Sequence, residues 1–272
     1  MSATGALQGK VAVVTGAARG QGRSHAVRLA REGADIIALD ACAPVGPTSY
    51  PPANSADLAE TVAAVEALDR RVVAAEVDVR GLEPMVAAVA AGIDELGAPD
   101  VVVANAGICG WGRVWELTAE QWSSVVDTNL TGVWHTLKAT VPAMIEAECG
   151  GAIIVISSVA GLKALPAQAH YSASKHALVG LVGSAAIELA PHSIRVNAVH
   201  PWAVRTPMGA DAGFRPYVEE NPEYGDLFKQ LLPTPRAADP EDISDAVAWL
   251  ASDASRTVTG ISLPVDLGAT RV

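Results

Sequence analysis

The run Val11–Thr15 is apolar and β-branched, and it passes directly into Gly16-Ala17-Ala18-Arg19-Gly20-Gln21-Gly22 and then into a helical stretch reaching about Glu32. No other feature of the chain constrains its fold as strongly. Strand, glycine-rich turn and helix in direct succession aim backbone N–H groups and a helix N-terminus at one point, which suits a phosphate. The glycines, spaced TGxxxGxG, allow a tight turn and close approach of a pyrophosphate. A glycine turn alone can be a plain connection. Here a strand precedes it and a helix follows, which favours the phosphate-binding reading.

The alternation continues. Asp35–Asp40, Arg71–Val77, Asp100–Ala104, Ala152–Ile156, Ile194–Val199 and Thr259–Asp266 read as further strands, and the unbroken β-branched run Ala152–Ile156 reads as a buried parallel one. Helical spacing separates them: from a cap at Asp57 to about Asp69, Leu82–Leu96, Glu120–Glu146, Tyr171–Leu189, and Pro240 to about Leu250. The whole chain, 1–272, shows no repeat beyond this βα alternation and no linker. The pattern predicts one doubly wound α/β domain, a seven-stranded parallel sheet with helices on both faces.

Two segments interrupt it. Residues 41–56, ACAPVGPTSYPPANSA, are too rich in proline and small residues for a regular element and read as a surface insertion beside the adenosine end of the site. His200–Asp239 carries Pro201, Pro207, Pro216, Pro222, Pro233 and Pro235. Loops this long in a compact domain are usually functional, and this one is expected to form a lid over about 200–239 with a short helix.

Candidate cofactor contacts lie at strand ends. Asp40 closes the second strand, where a carboxylate accepts from an adenine ribose 2′-OH and repels a 2′-phosphate, so NAD is favoured over NADP. Arg19 is a counter-signal, since a basic loop residue could meet a 2′-phosphate; it could also be a solvated loop residue. Asp78 and Val79 are expected against adenine, with Asp78 also able to cap the next helix. Asn105-Ala106-Gly107 lets the backbone pass close to a cofactor, or forms a simple turn. Asn129 and Gly132 are poor mid-helix residues, so a kink or a functional role is expected there.

The chemistry centres on SSVAGLKALPAQAHYSASKHA, residues 157–177. Tyr171 and Lys175 are one turn apart on a helix and share a face. Ser158, at the carboxyl end of a strand, can face them across the crevice where open α/β sheets bind ligands. A phenol with a pKa of about 10 is a poor base at neutral pH. A neighbouring ammonium and the positive ring of an oxidised nicotinamide both favour the phenolate; reaching neutrality takes roughly 3 pKa units, about 4 kcal/mol. The plainer alternative is an ordinary helix pair with Ser158 as a cap, and the rest of the chain decides against it.

Composition removes other classes. A net charge of −11 argues against nucleic acid and anionic membranes as partners. Cys42, Cys109 and Cys149 form no CxxC, so a reducing, cytoplasmic setting is expected, with no zinc site or disulfide framework. The six histidines show no metal-ligand spacing, and no metal is expected. The start, MSATGALQGK, lacks a signal-peptide pattern, and no apolar run is long enough to span a bilayer.

Taken together, Thr15-Gly16-x-x-x-Gly20-x-Gly22, Asn105-Ala106-Gly107, Asn129, Ser158 and Tyr171-x-x-x-Lys175 resemble the short-chain dehydrogenase/reductase family over nearly the whole chain. The resemblance implies a Rossmann fold and hydride transfer between nicotinamide and a carbinol or carbonyl carbon. It implies Tyr171 as acid/base, Ser158 orienting the substrate oxygen, and Lys175 lowering the tyrosine pKa and holding the nicotinamide ribose. Asn129 would extend a proton relay through water and Lys175. Gly16, Arg19, Gly20, Gln21, Gly22, Asp40, Asp78, Val79, Asn105, Ala106, Gly107, Pro201, Val204 and Thr206 would join Tyr171 and Lys175 around the cofactor. The family's usual Pro-Gly is Pro201-Trp202 here, which suggests that Trp202 walls the pocket. The wording TGAARGQGRSHAVRLAREGADIIALD with the insertion is most similar to the carveol-dehydrogenase-like, mycofactocin-associated branch. That likeness implies tightly held NAD reoxidised by a separate redox carrier, and an insertion that helps bury the adenosine end.

Cys109, Trp111, Leu165, Trp202, Met208, Phe214 and Tyr217 are candidate pocket residues, mostly apolar, which points to an apolar secondary alcohol or ketone. A rival of another class is an NAD-binding sensor or scaffold without catalysis, which would not need the serine, tyrosine and lysine. The helix from Tyr171 to Leu189 is apolar on most faces, so a partner subunit is expected to cover its outer side; the resemblance implies a homotetramer.

Overall fold

The computed structural model describes residues 5–272; residues 1–4 of the start read above lie outside it. The strands are β1 (Val11–Thr15), β2 (Asp35–Asp40), β3 (Val72–Glu76), β4 (Val101–Ala104), β5 (Gly151–Ile156), β6 (Ile194–Pro201) and β7 (Ser262–Val265). They form one seven-stranded parallel sheet in the order β3-β2-β1-β4-β5-β6-β7. The order reverses between β1 and β4, and the crevice at such a switch point is where open α/β sheets take ligands.

Among the described residues, eight α-helices accompany the sheet: α1 (Gly20–Arg31), α2 (Ser55–Glu66), α3 (Leu82–Leu96), α4 (Ala119–Val126), α5 (Gly132–Glu146), α6 (Ala169–Leu189), α7 (Arg215–Glu220) and α8 (Pro240–Ala251). Alternate strand residues feed two cores. Ala12, Val14, Ile36, Val103 and Ile154 pack with Leu29 of α1, Val65 of α2 and Ile243 of α8. Val13, Ile37, Val102, Ile153 and Val155 pack with Met85 of α3, Leu137 of α5 and Leu178 of α6. Side chains alternate across a strand, so both faces of the central strands must be apolar, as the unbroken sequence runs foretold. Each fully buried Val or Ile contributes about 1.5–3 kcal/mol.

Several sequence expectations shift in detail. Asn54, not Asp57, caps α2: the Asn54 side chain accepts from the Asp57 backbone, and Asp57 returns the bond to the Asn54 N–H. Both residue types cap well, and the reciprocal pair fixes which one does. Asp78 does not cap α3, whose N-cap is Gly81. The stretch Glu120–Glu146 is two helices joined by a π-helical turn, Asp127–Thr131, so the break expected at Asn129 is present. The lid contains α7 and a 3-10 segment, Pro222–Phe228.

On α6, Leu178, Val182 and Ala186 face the core, while Val179 and Ile187 are exposed and nothing crowds Gly180 or Gly183. No helix among the described residues is long and apolar enough to cross a membrane, and no cluster of His, Cys, Asp and Glu among them could hold a metal ion.

Candidate active site

The sheet's carboxyl edge opens into a cleft that runs from the glycine turn to Tyr171 and Lys175. Its floor is built for close approach. Gly16 has φ +67°, and a Cβ there would lie 2.9 Å from the Ala106 Cα; a Cβ on Gly22 would lie 1.8 Å from the Gly16 carbonyl oxygen. Asn105 locks the turn, its side-chain N–H donating to the Thr15 carbonyl at 2.9 Å, while the Thr15 hydroxyl accepts from the Asn105 and Ala106 backbones. The result is a cradle of bare backbone at the N-terminus of α1, which fits a pyrophosphate.

Asp40 lines the cleft beside this cradle. One carboxylate oxygen accepts from the Ala18 N–H at 2.9 Å and the other from the Cys42 N–H at 3.0 Å, so the group is fixed with acceptor capacity to spare. Gln21 Oε1 lines the same wall, buried with no partner among the described residues, and is free to accept from a ligand or water. These atoms suit a dinucleotide with free ribose hydroxyls. Arg19 lines the cleft too, but its guanidinium donates to the Pro51 carbonyl of the insertion. Asp78 and Val79 also line it; the Asp78 carboxylate is held by Arg80, whose hydrogen bonds and charge outweigh burial and keep it below its ordinary range.

At the other end, α6 carries Tyr171 and Lys175 on one face, as their spacing predicts. The Lys175 ammonium donates to the Ile156 carbonyl at 2.9 Å and lies 5.7 Å from the centre of the Tyr171 ring. Ser158 lies near enough to the Tyr171 phenol to moderate its pKa, and its hydroxyl caps a 3-10 turn, accepting from the Ala160 N–H at 3.1 Å. Buried His200 fixes the Ser158 backbone: its Nδ1–H donates to the Ser158 carbonyl at 2.7 Å, and burial holds the ring neutral. Asn129, on the π-helical turn, is fully buried. Its amide clasps Ile108, accepting from the backbone N–H at 2.8 Å and donating to the carbonyl at 2.9 Å, and reaches Ser174 Oγ at 3.3 Å.

Electrostatics differ from the sequence expectation in one respect. Burial pushes the Tyr171 phenol up, and Ser158 opposes this only in part. Burial pushes Lys175 down to about 8. Taking both groups out of water penalises the phenolate and the ammonium alike. In the cofactor-free protein, burial outweighs any help from the neighbouring ammonium, and an oxidised nicotinamide would add a second positive charge.

The insertion reaches further than expected. It borders the adenosine end through Ala43 and Ala53, but Tyr50 crosses to the catalytic end, where its hydroxyl accepts from the Cys109 N–H at 3.0 Å. Ser49 donates to Asp211 of the lid at 2.6 Å, and the same carboxylate oxygen accepts from the Trp111 indole at 2.9 Å. Insertion, lid and the loop after β4 thus meet on one carboxylate above the cleft.

Of the sequence-nominated residues, the structure gathers Gly16, Arg19, Gly20, Gln21, Gly22, Asp40, Asp78, Val79, Asn105, Ala106, Gly107, Tyr171, Lys175 and Thr206 on the cleft lining. Pro201 and Val204 do not line it; Val204 packs into the core. Met208 lines the cleft, while Trp202 and Phe214 of the lid join Trp111 and Phe228, the last missed by sequence reasoning, in an aromatic cluster. Tyr217 stacks under Arg113 instead. Tyr50, Asp211 and His200 were also missed. Only the lone tyrosine among the prolines of the insertion was a signal.

A glycine cradle, a carboxylate set for a ribose, and a serine, tyrosine and lysine at the far end define an oxidoreductase site of the dinucleotide-dependent type. Residues 16–270 match the family model described as enoyl-(acyl carrier protein) reductase. The chain belongs to the short-chain dehydrogenase/reductase family. It is 56% identical over 267 residues, 97% of each chain, to an uncharacterised NAD-dependent oxidoreductase of Mycobacterium tuberculosis. It is 43% identical over 273 residues to (-)-trans-carveol dehydrogenase of Rhodococcus erythropolis, covering 97% of this chain and 98% of that one. The crystal structure of carveol dehydrogenase from Mycobacterium avium in complex with NAD superposes with a TM-score of 0.94 at 48% identity, covering 99% of this chain and all of that one.

Proposed function

We propose that the protein oxidises a small apolar secondary alcohol to its ketone, or runs the reverse, with Tyr171 as the acid/base. It is an NAD-dependent short-chain oxidoreductase, and the cleft's glycine cradle, Asp40 and the unpartnered Gln21 oxygen fit that cofactor. The observation that carries the reading is Tyr171 and Lys175 side by side on the cleft lining, with Ser158 just beyond the carboxyl end of β5.

Bound NAD supplies the hydride acceptor and, when oxidised, a positive ring beside the phenol. Ser158 holds the substrate oxygen. Tyr171 takes the hydroxyl proton as the carbinol hydride leaves, so one hydride and one proton depart together and a ketone remains. Lys175 holds the ribose and favours the phenolate, and Asn129 extends the proton route toward water. The sensor or scaffold reading gives this cluster no task.

The aromatic lid cluster supports an apolar substrate of the terpenoid-alcohol kind. The carveol-dehydrogenase relatives point the same way. The Ser49–Asp211–Trp111 junction above the cleft supports NAD that stays bound between turnovers and is reoxidised by an external, mycofactocin-like carrier. The exposed apolar residues Val179 and Ile187 of α6 and Trp134 of α5 support a homotetramer, and the three free cysteines agree with a cytoplasmic setting.

The test is oxidation of a panel of apolar secondary alcohols by the purified protein, followed by nicotinamide absorbance. One turnover per chain that becomes continuous on adding an artificial electron acceptor is expected. Sustained turnover of added NAD contradicts the held cofactor; no oxidation of any alcohol contradicts the reaction. Light scattering that gives a monomer contradicts the tetramer.

A further inference from the structure

Tyr50 has no part in the functions described so far. It belongs to the proline-rich insertion, yet its ring lines the same cleft as Tyr171. Its hydroxyl accepts from the Cys109 N–H at 3.0 Å, and among the described residues the hydroxyl's own proton has no acceptor. Burial pushes its pKa up, so it stays a protonated donor. A donor left unspent in the cleft is satisfied only when a ligand or water accepts from it.

Cys109 ties a second polar side chain to the same place. The Gln168 amide donates to Cys109 Sγ at 3.0 Å, and its oxygen is buried with no partner among the described residues. Gln168 is 5% exposed. Two segments far apart in the chain thus bring polar groups to one residue beside the catalytic tyrosine, and each leaves one hydrogen-bonding function unused. The insertion also holds Tyr50 firmly, through Pro51 on Arg19 and Ser49 on Asp211.

We propose that Tyr50 is a specificity-determining residue of the substrate chamber: its hydroxyl donates to a second oxygen on the substrate, remote from the reacting carbon, and so selects oxygenated alicyclic alcohols over wholly hydrocarbon ones. The inference rests on the alcohol-oxidation reading above and narrows its substrate class. It also gives the insertion a second task, at the substrate end.

The experiment compares methoxycyclohexanols with ethylcyclohexanols of the same substitution pattern, which match in heavy-atom count and differ by one ether oxygen. First-turnover rate and substrate affinity are measured for wild type and Tyr50→Phe, with NAD affinity followed by fluorescence. Wild type is expected to prefer the methoxy compound. Tyr50→Phe is expected to cut that preference about tenfold, mainly through affinity, with the ethyl compound and NAD affinity changed less than about twofold. Equal losses on both alcohols would overturn the proposal and leave Tyr50 as a support for the Cys109 loop. No change on either, or weakened NAD, would overturn it as well. If wild type oxidises neither alcohol class, the alcohol-oxidation reading fails first, and the proposal with it.

Discussion

Lys175 holds its ammonium 5.7 Å from the centre of the Tyr171 ring while donating to the Ile156 carbonyl at 2.9 Å. The lysine is thus anchored to the end of β5 and presented to the phenol by the next helix. Anchoring it there is costly. Its pKa falls from 10.5 to about 8 because burial penalises the charge.

That cost has a pH signature. A group with a depressed native pKa and positive charge binds fewer protons folded than unfolded between pH 8 and 10.5. Stability from this site therefore rises with pH across that window, and below it the full penalty, on the order of 3 kcal/mol, applies. Lys175→Met keeps the stem and removes the charge. In the cofactor-free protein the variant is expected to gain on wild type at pH ~7 and to lose most of that gain by pH ~10, although losing the Ile156 bond offsets part of it. Denaturant unfolding at both pH values checks this; a difference that does not vary with pH contradicts it.

Asp40 is expected to set cofactor choice. Its carboxylate is fixed by the Ala18 and Cys42 N–H groups beside the cradle. A 2′-phosphate at roughly 4 Å would be repelled by about 4 kcal/mol at an effective dielectric of about 20. NADP is expected to serve at least about 100-fold less well than NAD, and Asp40→Ser to narrow that gap by about tenfold or more. Comparable use of both cofactors by wild type would refute the assignment.

Asp211 is expected to govern release of NAD. Its carboxylate accepts from Ser49, from the Trp111 indole and from the Gly213 N–H, joining the insertion to the lid. Charge-assisted bonds of this kind contribute about 1.5–3 kcal/mol each. Asp211→Ala should speed NAD dissociation about tenfold or more, read by displacement in stopped flow, with the first turnover retained. An unchanged release rate would show that the junction does not restrain the cofactor.

Much of this was legible in the sequence, for identifiable reasons. Strands such as Ile153–Ile154–Val155 are buried on both faces, so their apolar runs carry the parallel sheet without any help from distant residues. The glycine turn is largely local, since Gly16 has a positive φ and Gly22 is demanded by the Gly16 carbonyl within the same turn. Asn129 and Gly132 signalled a break because neither suits a helix interior, and the π-helical turn lies there. Tyr50 and Asp211 were hidden for the opposite reason. Their partners, Cys109 and Ser49, lie in other segments, and neither the insertion nor the lid has a period that would orient a side chain. Phe228 was lost in the same way. The direction of the Tyr171 shift was misjudged because desolvation depends on packing that spacing does not reveal.

The central claim is that Tyr171 moves the proton while NAD takes the hydride. Tyr171→Phe removes the hydroxyl and keeps the ring, so the measurement is first-turnover nicotinamide reduction by wild type and this variant on one alcohol, alongside NAD affinity. Reduction slowed about 1,000-fold or more with NAD affinity within about threefold is the predicted result. Reduction at near wild-type rate would contradict the account.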